Sequence, residues 1–426
     1  MIAIVGAGVT GLALGHALLA RGLDFVILEA ASETGGVIRT LRLGGDVLEL
    51  GPQRTRWTER IARLAAALRI ADRVVTAPPD LPLFIVYDGE MRRAPLSPAD
   101  LLRTDLLPLR AKLRALFEPF AGPPRPDESA ADYLSRRFGP TAYGRLLEPL
   151  FGGLYGSDPS DMLARHALVG IMRDFGIERT VLPRMLRAGL HSGRAARSAA
   201  PACSFDGGMR TLIHALHRSL ADQTRLETAV TRLTPAGASY TLDTEAGTVE
   251  AEHVVITCDA RAAAGLLQAI APDAAARLQQ LRYNDIVIVH MRSAARLRAV
   301  GYQVARTEPL RTRGVTFNEA LFGRTGIYTA FLGGARDPDA IAEPDAALGA
   351  VAVDEFHRVT AAVAEPIHVS RTRIPAWDRS WTVLEALRLP PRVHLCTNYE
   401  SRVGIPGRLA AADRLAASLA SHAENR

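Results

Sequence analysis

The sequence predicts an α/β fold in which a Rossmann-like domain is assembled from separate parts of the chain. Three stretches indicate this fold. The N-terminus predicts a short apolar strand, a glycine-rich turn, a helix and a second strand. The middle of the chain predicts a β-meander that ends in an apolar strand, and the C-terminus predicts a buried strand followed by a long helix. Such alternation is typical of a parallel sheet with helices on its faces.

Length and composition limit the class of protein. The chain has 426 residues, so we expect two or three domains. With 48% hydrophobic and 23% charged residues, its composition is that of a globular protein. No apolar run reaches the roughly 18 residues of a membrane span. Because the first predicted strand starts at Ile2, we expect no signal peptide and a cytoplasmic location, with peripheral membrane contact left open.

The charge and the cysteines exclude some partners. The formal charge is +6 and comes almost entirely from arginine, since Lys112 is the sole lysine. The arginines are scattered, which argues against a nucleic-acid partner. An acidic small-molecule substrate stays open, although a solvated basic surface is the simpler interpretation. Cys203, Cys258 and Cys396 are far apart and form no CxxC, so we expect no disulfide framework, no zinc site and no other metal centre.

The N-terminal glycines predict a dinucleotide site. The sequence GAGVTG lies between the predicted strand and the predicted helix. In this arrangement Gly6 makes the tight turn, Gly8 lets the backbone approach a pyrophosphate, and Gly11 lets the helix pack closely on the strand. The pyrophosphate would lie at the N-terminus of the helix, beside Val9 and Thr10, where N–H groups and the helix dipole favour anions.

A carboxylate follows the second predicted strand. Glu29, next to Ala30, ends the apolar run DFVIL. A carboxylate at this place can accept hydrogen bonds from ribose hydroxyls and would repel a 2′-phosphate. Together with the glycine turn it predicts a dinucleotide site, and a turn that serves packing alone is the alternative.

The next stretch, EAASETGGVIRTLRLGGDVLELGPQR, resembles the GGxxRT and E-x-G-P pattern of the FAD-dependent amine oxidase superfamily. The resemblance implies FAD as the cofactor. It implies that Gly36 and Arg39 lie near the pyrophosphate and that Gly51, Pro52 and Gln53 lie near the isoalloxazine. An exposed salt bridge for Arg39 and a simple turn at Gly51 are the alternatives.

The C-terminal block is implied to reach the same cofactor. In VHLCTNYESRVGIPGRL, a predicted strand at 393–396 leads to Val403, Gly404 and Ile405, and a helix is predicted over about 407–420. A helix N-terminus aimed at the flavin pyrimidine ring would stabilise the negative charge that develops near N1 on reduction. An ordinary terminal helix is the alternative.

Two further contributions come from the middle and the later part of the chain. The predicted β-meander would place Val230 near the adenine, and its last strand, which ends at Thr257, would rejoin the first sheet. Trp377 is expected beside the flavin. The FAD-binding domain is therefore expected to be discontinuous in sequence.

Four blocks narrow the resemblance to the protoporphyrinogen oxidase family and its relatives: GGVIRTLRLGGDVLELGPQR, DESAADYLSRRFGPTAYGRLLEPLFGGLYGSDP, CSFDGGMRTLIHAL and YESRVGIPGRL. The resemblance implies three domains. The FAD-binding domain would take residues 1–75, 203–262 and 385–426. A helical insertion would take 80–195, and a substrate-binding domain built on a β-sheet (α+β) would take 265–384.

Candidate substrate contacts follow from the same blocks. Arg56 follows the GPQR turn and could pair with a carboxylate of the substrate. Gly153 and Tyr155, in FGGLYG, would allow close approach of the ligand, and Phe322 would form an apolar wall. A surface arginine, a packing turn and plain core are the respective alternatives. The sequence assigns no catalytic acid or base.

The expected reaction is hydride transfer from an electron-rich small-molecule substrate to flavin N5, followed by reoxidation by O₂, in a monomer or homodimer. A flavin desaturase or amine oxidase that tailors a specialised metabolite is an alternative. Departures from the family motif at Gly407, Arg408 and Leu409 favour it. The amine oxidase type is disfavoured because many such members use a lysine near N5, whereas Lys112 lies in the helical insertion. A non-catalytic dinucleotide-binding scaffold is the second alternative.

Overall fold

The computed structural model describes residues 1–95, 98–168, 200–400 and 404–424. The chain divides into two compact units. The first contains Met1–Val75, Ala202–Leu281 and Ser380–Arg426, and the second contains Thr76–Pro201 and Arg282–Arg379.

The strands are numbered in chain order. They are β1 (Ile2–Val5), β2 (Phe25–Leu28), β3 (Thr40–Leu43), β4 (Asp46–Glu49), β5 (Thr55–Arg56), β6 (Val74–Thr76), β7 (Leu83–Tyr87), β8 (Glu90–Arg93), β9 (Ala202–Phe205), β10 (Thr224–Arg225), β11 (Val230–Ala236), β12 (Ser239–Thr244), β13 (Gly247–Ala251), β14 (His253–Ile256), β15 (Tyr283–Arg292), β16 (Gly301–Val304), β17 (Gly314–Phe317), β18 (Ile327–Gly333), β19 (Glu365–Pro375) and β20 (Val393–Leu395). The two longest of the described strands, β15 and β19, lie in the C-terminal half of the chain.

The helices of the described ranges are numbered in the same way. They are α1 (Val9–Leu19), α2 (Glu59–Ala67), α3 (Pro98–Arg103), α4 (Leu109–Ala115), α5 (Ala130–Phe138), α6 (Pro140–Ala142), α7 (Glu148–Tyr155), α8 (Ala164–Ala167), α9 (Arg210–Arg218), α10 (Ala260–Leu267), α11 (Pro272–Gln279), α12 (Asn318–Phe322), α13 (Asp345–Thr360) and α14 (Ile405–Glu424).

A parallel sheet forms the centre of the first unit. Among the described residues its strand order is β10-β2-β1-β14-β20, and every neighbouring pair is parallel. Strands β1 and β2 are buried along their whole length, as expected for a parallel sheet that is covered on both faces. The start, the middle and the end of the chain thus supply strands to one sheet, which confirms the predicted α/β fold with a discontinuous Rossmann-like domain.

Helices α1, α9 and α14 contribute to one apolar core in the first unit. Leu12, Leu212 and Leu409 belong to this core and are almost fully buried. Helix α14 also packs on α1, and Asp413 forms ion pairs with Arg21 at 2.9 Å and with Arg60 at 2.8 Å. The C-terminal helix is thereby fixed relative to the N-terminal βαβ unit.

The second unit is built on a mixed sheet with the strand order β19-β15-β18-β17-β16-β7-β8 in the described ranges. The rings of Phe317 and Tyr328 meet edge to face, with centroids 5.2 Å apart, and Phe356 of α13 packs on both rings. These aromatic side chains anchor the core beneath the sheet.

The two compact units group the chain differently at two places, and the expected division into three domains stays a prediction. The first unit extends to Leu281, because α10 and α11 pack on each other and α10 contacts β11. The described residues of the segment 80–195, which is expected to be a helical insertion, lie in the same unit as 282–379. Strands β7 and β8 explain this grouping, since β7 pairs in parallel with β16 of the mixed sheet.

Candidate nucleotide-binding site

The candidate site lies at the carboxyl edge of the parallel sheet. Strands β1, β2 and β14 run in the same direction, so Gly6, Glu29 and Thr257, which follow them, lie at the same edge. The chain goes from β1 through α1 to β2 on one side, whereas β14 flanks β1 on the other side. Ligands of open α/β sheets bind at such a reversal of strand order, beyond the carboxyl ends of the strands.

The glycine turn after β1 leaves no room for a side chain at two of its glycines. Gly6 has a φ of 108°, which L side chains rarely adopt. A β-carbon on Gly11 would lie 2.0 Å from the carbonyl oxygen of Gly6. The hydroxyl of Thr257 donates to that same carbonyl at 2.9 Å and so fixes the turn against β14.

Unlike Gly6 and Gly11, Gly8 faces open space. Apart from Gly8 and its two chain neighbours, no described residue has a heavy atom within 4 Å of the point that a β-carbon on Gly8 would occupy. Gly8 is also the N-cap of α1, and no side chain of the described residues caps this helix. The first N–H groups of α1, at Val9 and Thr10, therefore face a space that a phosphate could fill.

Glu29 stands beside this turn. Its Oε2 accepts a hydrogen bond from the backbone N–H of Ala7 at 2.6 Å, and its Oε1 accepts one from Ala31 at 2.9 Å. Each carboxylate oxygen keeps a further lone pair that could accept from a ribose hydroxyl. The carbonyl of Glu29 accepts from the N–H of Thr228, which brings the start of β11, at Val230, to the same edge.

The second glycine segment lies against the first. The N–H of Gly35 donates to the carbonyl of Ala7 at 2.9 Å, and Gly36 has its β-carbon position 3.6 Å from the Cα of Gly8. The side chain of Arg39, a few residues on, is exposed. The two glycine-rich stretches are thus in direct backbone contact.

Gly51 has a packing reason of its own. A β-carbon there would lie 2.0 Å from the carbonyl oxygen of Val37, so only glycine allows the approach of these two backbone segments. This finding explains the glycine without reference to a flavin. The expected proximity of Gly51 to the isoalloxazine stays a prediction.

Glu49 has a role that the sequence did not reveal. Its buried carboxylate accepts from the backbone N–H of Met209 at 2.8 Å and from the hydroxyl of Thr40 at 2.7 Å. The Thr40 hydroxyl also accepts from the N–H of Arg210. The two side chains cap α9 from a distant part of the chain. The signal in the sequence is the pair Gly207-Gly208, which leaves α9 without a local capping side chain.

Several polar groups near the E-x-G-P turn are buried. The amide of Gln53 donates to the carbonyls of Glu49 and Gly51, while its Oε1 is buried without a partner among the described residues. The hydroxyl of Thr397, just after β20, is likewise buried and has no hydrogen-bond partner among the described residues. Burial lowers the pKa of Arg54 to about 10, with a smaller contribution from Arg56. We did not single out Arg54 from the sequence, although it stands within GPQR.

The C-terminal helix begins earlier than expected. Its first residue is Ile405, because the carbonyl of Gly404 accepts from the N–H groups of Gly407 and Arg408 and so acts as the N-cap. Gly404 has a φ of 99°, and Ile405 is buried in the core of the first unit. Val403 lies outside the described residues.

The remaining predicted site residues are placed as follows. Arg56 lies on β5 of the first unit and is exposed. Pro52, in the E-x-G-P turn, is also exposed, and Ala30 directly follows Glu29. Phe322 and Trp377 are buried in the second unit, and Trp377 has a φ of 53°, which is rare for a bulky residue. Gly153 and Tyr155 belong to the C-terminal half of α7, and their surroundings lie outside the described part. The predicted roles of these residues stay predictions.

The fold and the site define a class of protein. A parallel sheet, a glycine turn, an uncapped helix and a carboxylate after the second strand are the features of a dinucleotide-binding domain. The model of the family of flavin-containing amine oxidoreductases matches residues 9–407, and the chain belongs to this family. The protein is therefore an FAD-dependent oxidoreductase, and the open space at Gly8, the uncapped α1 and the Glu29 carboxylate fit the dinucleotide part of FAD.

Similar proteins include a protoporphyrinogen oxidase and a coproporphyrinogen III oxidase. The chain is 26% identical to the chloroplastic protoporphyrinogen oxidase of Nicotiana tabacum over 385 residues, which cover 81% of this chain and 69% of that one. It is also 26% identical to the coproporphyrinogen III oxidase of Mycobacterium tuberculosis over 451 aligned residues, which cover 98% of this chain and 96% of that one.

Solved structures show the same fold. A protein from Exiguobacterium sp. 255-15, whose assignment as a protoporphyrinogen oxidase is itself provisional, superposes with a TM-score of 0.80 at 22% identity over 99% of this chain and 98% of that one. Cyclohexylamine oxidase from Brevibacterium oxydans superposes with a TM-score of 0.72 at 18% identity over 99% of both chains. At these identities the likeness concerns the fold alone.

Proposed function

We propose that this flavoprotein oxidises a porphyrinogen-type substrate, a reduced tetrapyrrole that carries carboxylates. Two relatives are named as oxidases of protoporphyrinogen and of coproporphyrinogen III. Their similarity extends over 81% and 98% of this chain and supports the proposal. The observation that carries it is that Lys112, the sole lysine of the chain, donates its ammonium hydrogens to backbone carbonyls of the second unit. A flavin desaturase or amine oxidase acting on a specialised metabolite is the second candidate.

The ammonium group of Lys112 is held by backbone carbonyl groups. It donates to the backbone carbonyls of Leu102 at 2.8 Å and of Thr104 at 2.7 Å, in the helical part of the second unit. Lys112 is the sole lysine of the chain. A mechanism that needs a lysine beside the flavin is therefore disfavoured, whereas oxidation of an electron-rich carbon needs little beyond positioning of the substrate.

The chain would contribute binding, orientation and electrostatics. FAD, when bound, supplies the hydride acceptor and passes the electrons to O₂. Gly8 and the N-terminus of α1 would hold the pyrophosphate, and Glu29 would hold the ribose. The N-terminus of α14 at Ile405 would favour the negative charge of the reduced ring. Arg54 and Arg56 are the candidate partners for a substrate carboxylate, and no side chain is assigned as acid or base.

Turnover tests the proposal directly. FAD-loaded protein is mixed with protoporphyrinogen IX or coproporphyrinogen III, and porphyrin fluorescence is followed against a Gly8→Val variant as the control for spontaneous oxidation. We expect fluorescence to rise faster with the wild type for at least one porphyrinogen, and a Lys112→Met variant to keep this activity. Oxidation of primary amines, with no acceleration for either porphyrinogen, would favour the second candidate.

A membrane-surface contact also belongs to this proposal. Apolar side chains lie exposed around α4, with exposed fractions between 51% and 85%: Leu102, Leu109, Leu113, Leu116, Phe117 and Phe120. Arg110, Lys112 and Arg114 are on the same short segment. Exposed apolar residues beside cations are typical of a segment that lies in the membrane interface. None of the described helices is long and apolar enough to cross a bilayer.

Vesicle binding tests this contact. We expect the protein to cosediment with vesicles that contain anionic lipid, and a Phe117→Asp/Phe120→Asp variant to stay in the supernatant while keeping its flavin spectrum. Equal cosedimentation of both proteins would contradict the contact. The cytoplasmic location and the monomeric or dimeric state stay predictions.

A further inference from the structure

A basic groove lies on the first unit between the β3–β4 hairpin and α9. It has a volume of about 540 Å³, which is in the range of small-ligand sites. The residues that matter are Arg42, Arg73, Gly207, Arg210, Thr211 and Arg218. None of them belongs to the predicted FAD contacts, and the groove is not needed for the proposed function.

Part of the positive charge of the basic groove is not balanced. Arg73 pairs with Asp206 at 2.7 Å, and Arg210 pairs with Glu33. The side chains of Arg42 and Arg218 form neither a hydrogen bond nor an ion pair with any residue that the structure describes. Arg42 interacts with Asp206 only at longer range, since the pKa of the Asp206 carboxyl is lowered mainly by Arg73 and to a smaller extent by Arg42. Four guanidinium groups thus face two carboxylates in one concavity, whereas many other arginines of the chain have an acidic partner. Such a cluster favours an anion.

Three polar atoms converge in front of Gly207. Arg42 Nη2, Arg73 Nη2 and Thr211 Oγ1 lie 2.9, 3.0 and 2.8 Å from the point that a β-carbon on residue 207 would occupy. Thr211 is 6% exposed, and within the described ranges its hydroxyl has no hydrogen-bond partner. The Thr211 hydroxyl opens on the groove beside two guanidinium groups, and a phosphate group offers several acceptor oxygens to such donors.

Side chains, rather than the helix terminus, would hold this anion. The N–H groups of Met209 and Arg210 at the start of α9 are already bonded to Glu49 and Thr40. Of the two imidazoles that line the groove, that of His214 adds little charge at neutral pH, because burial and the Arg210 guanidinium lower its pKa. The arginines are therefore the charges that matter.

We propose that the basic groove binds a small anion with two or more phosphate groups, as a second ligand site on the FAD-binding unit. Its fork-shaped guanidinium groups suit bidentate contacts with phosphate oxygens. Free pyrophosphate and a nucleotide share this chemistry, and their relative affinities show which of them fills the groove.

Calorimetric titration of the FAD-saturated protein tests the site, with inorganic pyrophosphate and ATP as the probes. FAD content is measured before and after, so that displacement of the cofactor is recognised. We expect one saturable site for at least one probe, with affinity that falls as salt is added. No saturable heat, or loss of FAD in step with the heat, would overturn the proposal.

Substitutions locate the binding. An Arg42→Gln/Arg218→Gln variant is expected to bind about tenfold more weakly or worse, since both side chains lack an ion pair that could be lost from the fold. A Thr211→Val variant is expected to bind several-fold more weakly. Arg232→Gln, an exposed arginine on β11 of the same unit, is the matched control and should bind as the wild type does. Unchanged affinity in the double variant, or equally tight binding of citrate, would overturn the assignment.

Discussion

The carboxylate of Glu29 accepts a hydrogen bond from the backbone N–H of Ala7 over 2.6 Å, which ties the end of β2 to the glycine turn after β1. Ala7 and Glu29 are 22 residues apart along the chain. The parallel pairing of β1 with β2 brings them into contact, because each residue follows the carboxyl end of its strand. This contact sets the distance between the candidate ribose site and the candidate pyrophosphate site.

The first prediction concerns Glu29. A Glu29→Gln substitution should weaken FAD binding about 10- to 100-fold, because a charge-assisted hydrogen bond contributes about 1.5–3 kcal/mol. The measurement is the dissociation constant for FAD, from the quenching of flavin fluorescence. Asp24→Asn, at the opposite end of the same strand, is the matched control and should leave the affinity unchanged. Equal affinities in both variants would remove Glu29 from the site.

The second prediction concerns a buried ion pair of the second unit. Glu118 and Arg137 are paired, with 1% and 2% of their side chains exposed. Glu118→Ala leaves a buried guanidinium without its partner and should lower the free energy of unfolding by about 3–5 kcal/mol. The measurement is urea unfolding followed by circular dichroism.

A double variant separates the charge from the packing. Glu118→Leu/Arg137→Met removes both charges and should lose less stability than Glu118→Ala alone. Glu59→Ala, which removes an exposed ion pair with Arg63, should change stability by no more than about 0.5 kcal/mol. A double variant that is less stable than the single variant would contradict this account of the pair.

The third prediction concerns pH. Burial, followed by the neighbouring His253 and His422, lowers the pKa of His394 to about 4, and His394 lies 3.2 Å from His253 between their ring nitrogens. The unfolded chain binds a proton at His394 once the pH falls below about 6.5, whereas the folded chain does not until about pH 4. Stability should therefore decrease as the pH is lowered through this window.

The size of this pH effect is modest. The ring is partly exposed, so we expect a loss of about 1 kcal/mol between pH 7.5 and pH 5. Urea unfolding at the two pH values measures it, and His394→Gln should remove this part of the loss. A loss of the same size in the variant would assign the pH dependence to other groups.

Local patterns predicted much of the first unit. The apolar run Ile2–Val5, the three glycines and the apolar run before Glu29 are all short-range signals, and each was sufficient to predict its element. The strand at His253–Ile256 was also predicted to rejoin the first sheet, because it is apolar enough to be buried on both sides.

Contacts between distant residues were not predictable in the same way. Glu49 caps α9 although 160 residues separate it from Met209. A contact between residues so far apart produces no local sequence pattern that could predict it. The start of α14 was placed late because Gly404 supplies its carbonyl as the N-cap, which depends on the backbone and not on a capping side chain. Of the two arginines after the E-x-G-P turn, Arg54 is the more buried and Arg56 is exposed. This difference depends on the fold and leaves no signal in the local sequence.

The most direct test of the account is the FAD affinity of two neighbouring glycine variants, Gly8→Val and Gly11→Ala. Gly8 faces open space in which the pyrophosphate would lie, whereas a β-carbon on Gly11 would collide with the Gly6 carbonyl. Gly8→Val should fold with an unchanged melting temperature yet bind FAD at least about tenfold more weakly. Gly11→Ala should lose stability together with FAD. A folded Gly8→Val protein that binds FAD as tightly as the wild type would contradict the central claim.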